Sequence, residues 1–307
     1  MPSNFYRAFE DQYRGSRTLI KERLGVYLPF ITPLAALHPE HTALDLGCGR
    51  GEWLELLQEQ HIKATGVDLD DGMLAACRER GLVVQNANAI THLQALPGQS
   101  LLAVTGFHLA EHLPFEVLQE LLAQARRVLL PDGLLILETP NPENLVVGTA
   151  HFYIDPTHQR PLPHQLLSFL IAQQGFTRLK HLRLQEDPRL LGNAPVTLFD
   201  VLAHVSPDYA IVAQLNPSTA SPDPLAAAFA TEHGLSLHSL ANRFDDQQQA
   251  TLQACQAATQ QAEQALTLLS QKTELAQAQA AQLAALQAST SWQLTRPLRW
   301  LARRLSR

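Results

Sequence analysis

From Thr42 onward, short apolar runs alternate with segments whose apolar residues recur every three or four positions. Short runs bounded by glycine, proline or an acid read as buried strands, and the longer period reads as helices packed on them. Strands are expected at Thr42–Leu46, Ala64–Val67, Leu82–Gln85, Leu101–Leu109, Leu134–Glu138, Phe176–Leu184 and Tyr209–Leu215. Helices are expected from Glu52, over Asp71–Arg80 until Gly81 stops it, over Phe115–Leu130 behind Pro114, and over Gln165–Gln174. In the Phe115 helix, Val117, Leu118, Leu121, Leu122 and Val128 form the buried stripe, and Pro131-Asp132-Gly133 should turn the chain into the next strand. Such alternation demands an α/β, doubly wound, seven-stranded and mostly parallel sheet with helices on both faces.

The flanks of this sheet domain, residues 39–215, have other patterns. Residues 1–38 read as an N-terminal helical cap, with Phe5, Tyr6, Phe9 and Tyr13 at helical spacing and Arg7, Arg14 and Arg17 between them. A cap packed on the sheet and a lid over a site both fit. Residues 216–234 have the proline- and serine-rich start of a linker. Beyond it, alanine and glutamine dominate, with no proline from Leu225 to Arg296 and no glycine after Gly234, so residues 235–290 read as one long helix. A heptad runs through Cys255, Ala262, Leu269, Ala276 and Leu283, paired with Leu252, Leu266 and Ala280, and interrupted by Thr259 and Thr273. That soft seam suits a coiled coil, by self-association or with a partner protein. In the tail, residues 291–307, Trp292, Leu294, Leu298, Trp300, Leu301 and Leu305 interleave with five arginines, as a helix on an anionic membrane surface requires.

Composition sharpens this picture. The 307 residues are 46% hydrophobic and 17% charged, ordinary values for a folded protein with a full core. The net charge of −6 divides into +5 on the tail and −11 on the rest. An acidic body argues against a nucleic-acid partner. Three cysteines without metal spacing argue against a disulfide framework and for a reducing, cytoplasmic setting. No run of about 18 apolar residues predicts a membrane span, and the start of the chain lacks the apolar core of a secretory signal.

The candidate chemistry begins where the first strand breaks into Gly47-Cys48-Gly49-Arg50-Gly51 ahead of a helix. Asp68, at the end of the next strand, lies 17 residues beyond Gly51, where a doubly wound fold places an acid against the hydroxyls of a ribose. The glycine spacing is G-x-G-x-G, and Asp45 stands just ahead of the turn. A carboxylate there repels a pyrophosphate and suits a ligand with an amino group and a sulfonium, S-adenosylmethionine. In Asp45, Gly47, Gly49, Gly51 and Asp68 the chain resembles the class I S-adenosylmethionine-dependent methyltransferases. The resemblance implies a Rossmann-like fold, S-adenosylmethionine as cofactor, and contacts from Asp45, the Gly47–Gly51 turn with Cys48, and Asp68 with Leu69. It also implies an adenine contact at Asn88 and Ala89, with Asn88 where the family usually shows an aspartate, and a place for His108 beside the sulfonium.

Methyl transfer from a sulfonium is an in-line displacement that needs no metal and gains chiefly from alignment. A hydroxyl acceptor benefits from a base, whereas a phosphate needs cations to hold it. The loop after the fifth strand offers His158 as base, Arg160 as anion holder and Tyr153 as a further contact, with His112 and His151 as rival bases. Tyr13, Arg14 and Arg17 of the cap complete the expected acceptor site. Phe5–Arg17, Gly106–His112, Glu138–Asn144 and Asp155–Arg160 further resemble the methyltransferase part of the bacterial O-antigen chain-terminating methyltransferase/kinase, over about residues 5–215. That likeness implies an enzyme of lipopolysaccharide synthesis, peripheral on the cytoplasmic face of the inner membrane, methylating a polysaccharide or glycolipid acceptor. The family's kinase domain has no counterpart between the sheet and the long helix, so the acceptor atom is a sugar hydroxyl or a phosphate made elsewhere. A small-molecule methyltransferase and a non-catalytic cofactor-binding scaffold are the alternatives.

Overall fold

The computed structural model describes residues 15–217 and 222–305. The cap residues Tyr13 and Arg14 lie outside them. Seven strands form one sheet in the order β3-β2-β1-β4-β5-β7-β6. They are β1 (Thr42–Leu46), β2 (Ala64–Asp68), β3 (Val84–Asn86), β4 (Leu101–Phe107), β5 (Leu129–Pro140), β6 (Arg178–Leu184) and β7 (Asp208–Gln214). The first five pair in parallel, and β7 runs antiparallel between β5 and β6. The chain winds outward from β1 to β3, then returns to lay β4 on the other side of β1. Connections therefore diverge at the carboxyl ends of β1 and β4 and leave a crevice there.

Alternation along the central strands feeds two cores. Leu44, Leu46, Val104, Leu135, Leu137 and Ile211 pack beneath α6 (Phe115–Val128) and α8 (His164–Gln173), which contribute Leu118, Leu121, Leu122, Leu167 and Ile171. Ala43, Ala103, Leu134, Ile136, Ala210 and Val212 face the other way, onto Trp53 and Leu57 of α3 (Glu52–Glu59) and onto the cap. The described cap consists of α1 (Arg17–Leu24) and α2 (Leu28–Leu37), and its Tyr27, Phe30, Ile31 and Leu34 are fully buried. Each such side chain contributes about 1.5–3 kcal/mol of burial, so this part of the cap is core.

Three local differences from expectation have physical causes. Pro131-Asp132-Gly133 does not end the strand: β5 begins at Leu129, and the register slips between the Leu101–Leu129 and Ala103–Leu134 pairs to absorb the extra residues as a bulge. His38 holds that bulge through Asp132, whose Oδ1 lies 2.9 Å from Nε2. Second, a helix absent from the sequence reading, α5 (Ala89–Ala95), follows β3 because the Asn88 carbonyl oxygen accepts from the amides of Ile90 and Thr91. Third, the segment read as a linker through residue 234 is packed. Leu225 is fully buried, α10 (Ala226–Ala230) sets Phe229 edge-on against Phe30 at 5.3 Å, and Arg178 stacks on Phe229 at 3.9 Å.

The long helix α11 spans Leu237–Ala288. Its start belongs to the first compact unit, which ends at Phe244. Leu240 is buried with Leu190, Val201 and Val205, and Arg243 donates to the carbonyls of Leu190 and Gly192 at 2.6 and 2.8 Å. The second unit, Asp245–Arg307, carries the rest of α11 with Leu252, Leu266, Leu269 and Leu283 exposed. Thr259 and Thr273 bond back to the carbonyls of Cys255 and Leu269, so they remain inside the helix without breaking it. Ser289 then caps α12 (Thr290–Leu294), and α13 (Arg296–Leu305) follows with Pro297 in its first turn.

Packing of the supposed linker is testable at Gly234, whose φ is +71° and whose added Cβ would overlap the backbone carbonyl of Arg183. Gly234→Ala should destabilise the first unit by about 1–3 kcal/mol in chemical denaturation. Gly25→Ala, where an added Cβ meets nothing within 4 Å, should leave stability near that of the parent chain.

Candidate active site

Three glycines at positive φ, 68° at Gly47, 49° at Gly49 and 78° at Gly51, turn the chain from β1 into α3. Side chains rarely adopt this left-handed backbone, which is why glycine recurs at alternate positions. Asp68 at the tip of β2 holds the turn: its Oδ2 accepts from the Gly49 amide at 2.9 Å, and its Oδ1 from the Asp70 amide at 2.8 Å. Cys48 packs beneath the turn, close enough to Gly66 of β2 that a Cβ there would collide with its sulfur. Burial, then the negative charge of Asp45 and Asp68, pushes the Cys48 thiol far above its ordinary range, so it remains protonated. Leu69, next to Asp68, is 68% exposed, an apolar surface beside the turn.

A cavity of about 480 Å³ opens from this turn across the carboxyl ends of β1, β4 and β5. Asp45, Gly47 and Cys48 form one wall, Trp53 and Phe107 an aromatic one, and His108, His112, Glu138, His158 and Asp208 the remainder. Asp45 is buried, and the Thr105 hydroxyl donates to its Oδ1 at 2.7 Å. The indole N–H of Trp53 has no hydrogen-bond partner among the described residues, although the side chain is buried.

At the end of β4 the backbone passes through a left-handed residue that is not glycine, His108 at φ +55°. Its amide donates to the Glu138 carbonyl at 2.9 Å, which keeps the ring among three acids. His108 Nδ1 lies 3.3 Å from Glu111 Oε1, and Nε2 lies 3.4 Å from Glu138 Oε1. Burial alone would lower its proton affinity, but Asp208, Glu111 and Glu138 outweigh that and raise it well above the ordinary histidine value. The ring is an imidazolium at neutral pH. Glu138 also accepts from the Tyr27 hydroxyl and from Gln185 Nε2 at 3.3 Å, and Glu111 accepts from the Thr139 hydroxyl at 2.9 Å. Burial pushes Asp208 up to about 6, with His108 opposing and Glu138 and Glu111 adding to the shift. His108, Glu138 and Asp208 have ligand-type atoms within 4.8 Å of one another, as do Glu111, His112 and His158.

The loop that follows β5 folds back on this cluster. Asn144 caps α7 (Leu145–Thr149) through the amides of Val146 and Val147, and a single turn at His151–Ile154 leads to Asp155. The Gln159 amide donates to the Glu111 carbonyl at 2.8 Å, bringing His158 against His112 with ring centroids 4.6 Å apart.

The structure thus brings together Asp45, Gly47, Cys48, His108, His112 and His158 around one cavity, with Gly49, Gly51, Asp68 and Leu69 along the adjoining turn. Four expected site residues have other partners or lie outside the cavity lining. Arg17 is spent on α3 and its turn, donating to the Arg50 carbonyl at 2.6 Å and to Glu55 at 2.5 Å. Arg160 stacks on Phe115 at 4.5 Å, away from the cavity lining. Tyr153 is 63% exposed and does not line the cavity. Asn88 uses both lone pairs of its carbonyl oxygen as the cap of α5, with Ala89 as the first residue of that helix, so the expected adenine contact loses its acceptor. Residues that sequence reasoning missed are Tyr27, Trp53, Glu138, Asp155, Thr157 and Asp208. Glu138, Asp155 and Thr157 stand inside the motifs quoted above. Tyr27, Trp53 and Asp208 carry no local signal, because only the packing of cap, α3 and β7 brings them to the site.

Comparison with known proteins agrees with this geometry. The family described as a methyltransferase domain matches residues 43–133, from β1 through β4 into the start of β5. A protein of Mycobacterium tuberculosis (strain CDC 1551) named a probable S-adenosylmethionine-dependent methyltransferase is 31% identical over 157 residues, 50% of this chain and 56% of that protein. A similarly named protein of Mycolicibacterium smegmatis is 29% identical over 133 residues, 43% of this chain and 51% of its own length. The chain therefore spans about half the length of the curated relatives it matches. The crystal structure of a SAM-dependent methyltransferase from Archaeoglobus fulgidus superposes with a TM-score of 0.61 and 33% identity, over 68% of this chain and 99% of that one. Sheet order, glycine turn and likeness along a whole relative converge: the chain belongs to the S-adenosylmethionine-dependent methyltransferases.

Proposed function

We propose that the chain O-methylates a saccharide acceptor, at a sugar hydroxyl or a phosphate, in the synthesis of bacterial surface polysaccharide of the O-antigen kind, at the cytoplasmic face of the inner membrane. The observation that carries this reading is a shared cavity: Asp45 and the glycine turn open into the same space as the ring pair of His112, after β4, and His158, in the loop after β5. Aromatic walls from Trp53 and Phe107 beside hydrogen-bonding Gln185, Glu138 and histidines suit a polyhydroxylated ligand.

The cofactor end fits the residues present. Asp45 supplies negative charge for an ammonium and a sulfonium, and the Asp68 carboxylate, already set by two backbone amides, is the acceptor for the ribose hydroxyls. Exposed Leu69 offers an apolar face to the adenine. Bound S-adenosylmethionine supplies an electrophilic methyl group; the protein supplies alignment and exclusion of water.

The tail supports the membrane part of the reading. Among the described residues no helix is long and apolar enough to cross a membrane. Leu294, Leu298, Trp300 and Leu301 of α12 and α13 are more than half exposed, and Arg299 and Arg304 stack on Trp292 and Trp300 at 3.7 and 4.4 Å. Apolar surface interleaved with arginine is what an interfacial helix presents to anionic lipid. A coiled-coil seam on α11 would add self-association or a partner protein.

Asp68→Ala should weaken S-adenosylmethionine binding by about 1–3 kcal/mol, since it removes the ribose acceptor and loosens the Gly49 turn. Titration calorimetry giving equal affinities would remove Asp68 from the cofactor site, and no binding by the parent chain would defeat the site as a whole. Deleting residues 291–307 should release the protein from anionic vesicles at physiological salt while sparing methylation of a short soluble acceptor, because each arginine contributes about 1 kcal/mol at such a surface. Equal sedimentation of the two forms with vesicles would refute the membrane role of the tail.

A further inference from the structure

His112, after β4, and His158, in the loop after β5, both lie beside one carboxylate, that of Asp155, which is 8% exposed. Thr157 donates from its amide to Asp155 Oδ1 at 2.8 Å and from its hydroxyl to the same oxygen at 2.6 Å. The same hydroxyl lies 2.8 Å from His112 Nδ1. A hydroxyl has one proton; with that proton on Asp155, Thr157 can only accept from His112. Nδ1 of His112 therefore carries the hydrogen, and Nε2 carries the lone pair. His158 is arranged differently. Its Nδ1 is 2.6 Å from the carbonyl oxygen of Phe152, which only accepts, and its Nε2 stands 3.9 Å from Asp155 Oδ2. The basic nitrogen of His158 is thus set toward a carboxylate, while that of His112 is left for a ligand in the cavity that both rings line.

The charges around this pair matter as much as the hydrogen bonds. Among the described acids lining the cavity, Glu52 is paired with Arg50 at 2.9 Å and Asp45 stands at the cofactor end, which leaves Glu138, Asp155 and Asp208 against one arginine, Arg23, and no lysine. His108 adds one positive charge. Arg17 and Arg160, the cations expected to hold an anion, are engaged elsewhere. A phosphate dianion entering this space meets net repulsion in a setting where water screens poorly. A hydroxyl meets none, but needs its proton removed.

We infer that the acceptor is a neutral hydroxyl group rather than a phosphate, and that His112 takes its proton, with Thr157 and Asp155 as positioning residues. This rests on the methyl-transfer reading above and decides between its two acceptors. The acceptor O–H proton passes to His112 Nε2, the oxygen electron pair forms the new C–O bond, and the C–S bond breaks with its pair left on sulfur. The imidazolium then releases the proton to solvent. The ring suits this work: burial, with His158 and His108, lowers its proton affinity below the ordinary histidine value against the pull of Glu111 and Asp155. It is neutral at physiological pH and free to accept.

Two measurements test the inference. Long-range nitrogen–proton NMR on ¹⁵N-histidine-labelled protein, without cofactor or acceptor, should show His112 neutral and protonated at Nδ1 at pH 7. Thr157→Val should lose that tautomer and Thr157→Ser should restore it. An Nε2–H tautomer or an imidazolium in the parent chain overturns the base assignment, whatever Thr157→Val does to folding. In turnover, Thr157→Val should slow transfer by about 10–100-fold and move the acid limb of the rate–pH profile, with cofactor affinity unchanged and Thr157→Ser active. The groups able to move that limb are Glu111, Asp155, His158 and His108, which face His112 from the neighbouring segments. The second measurement uses methyl-labelled S-adenosylmethionine and the lipid-linked glycan fraction of the source cells. Label recovered as an O-methyl sugar supports the hydroxyl acceptor, and label recovered as a methyl phosphate ester overturns it while leaving the saccharide reading intact. Label in no glycan overturns the saccharide reading and the acceptor assignment that rests on it, while the tautomer measurement still judges His112 by itself.

Discussion

The hydrogen bond from the Gly49 amide to Asp68 is the constraint around which this site is arranged. It joins the end of β1 to the end of β2, beside the bonds of the Gly47 and Cys48 amides to the Val67 carbonyl at 2.8 and 3.0 Å, and so fixes the path of a turn with three left-handed glycines. The same carboxylate holds the Asp70 amide, so the start of α4 (Asp71–Glu79) is set as well. With the turn fixed, the wall carrying Asp45 and Gly47 has a defined position relative to β4, where His108 begins the opposite wall. A parallel sheet places these ends together because strand order reverses between β1 and β4.

Charge burial is the second constraint. Glu111, Glu138 and Asp208 gather where β4, β5 and β7 end, and three desolvated carboxylates would be costly alone. The protein offsets that cost with one imidazolium, a tyrosine hydroxyl from the cap, a threonine hydroxyl and a glutamine amide. A raised proton affinity at both His108 and Asp208 means that the cluster keeps protons at a pH where free groups would release them. The left-handed backbone of His108 is maintained by the same set of contacts, a local strain of order 1–3 kcal/mol that surrounding structure must overcome.

The second compact unit follows other rules. Its helix owes its length to composition: from Asp245 to Ala288, α11 contains no glycine or proline. Leu252, Leu266, Leu269 and Leu283 are exposed along it. Its tail concentrates arginine and tryptophan on short helices that Ser289 restarts after the long one ends.

Much of the fold was legible because hydrophobic period is a local property. Seven strands, the glycine turn, Asp45 and Asp68 were readable where they stand, since turn chemistry and strand burial are written in neighbouring residues. What failed depended on neighbours distant in sequence. The Pro131–Gly133 segment became a bulge because Leu101 pairs with Leu129, and the apparent linker packed because Phe30 and Arg183 lie across from it. Arg17 and Arg160 show the same limit in the site: residue type suggested anion binding, and tertiary partners took the charges. The sequence by itself determined the glycine turn and the acid that holds it, because they stand on one turn and the strand beside it. Only the tertiary structure decided the acceptor end, because Tyr27, Glu138, His112, Thr157 and Asp208 come from five separate segments and acquire their protonation and tautomers from one another.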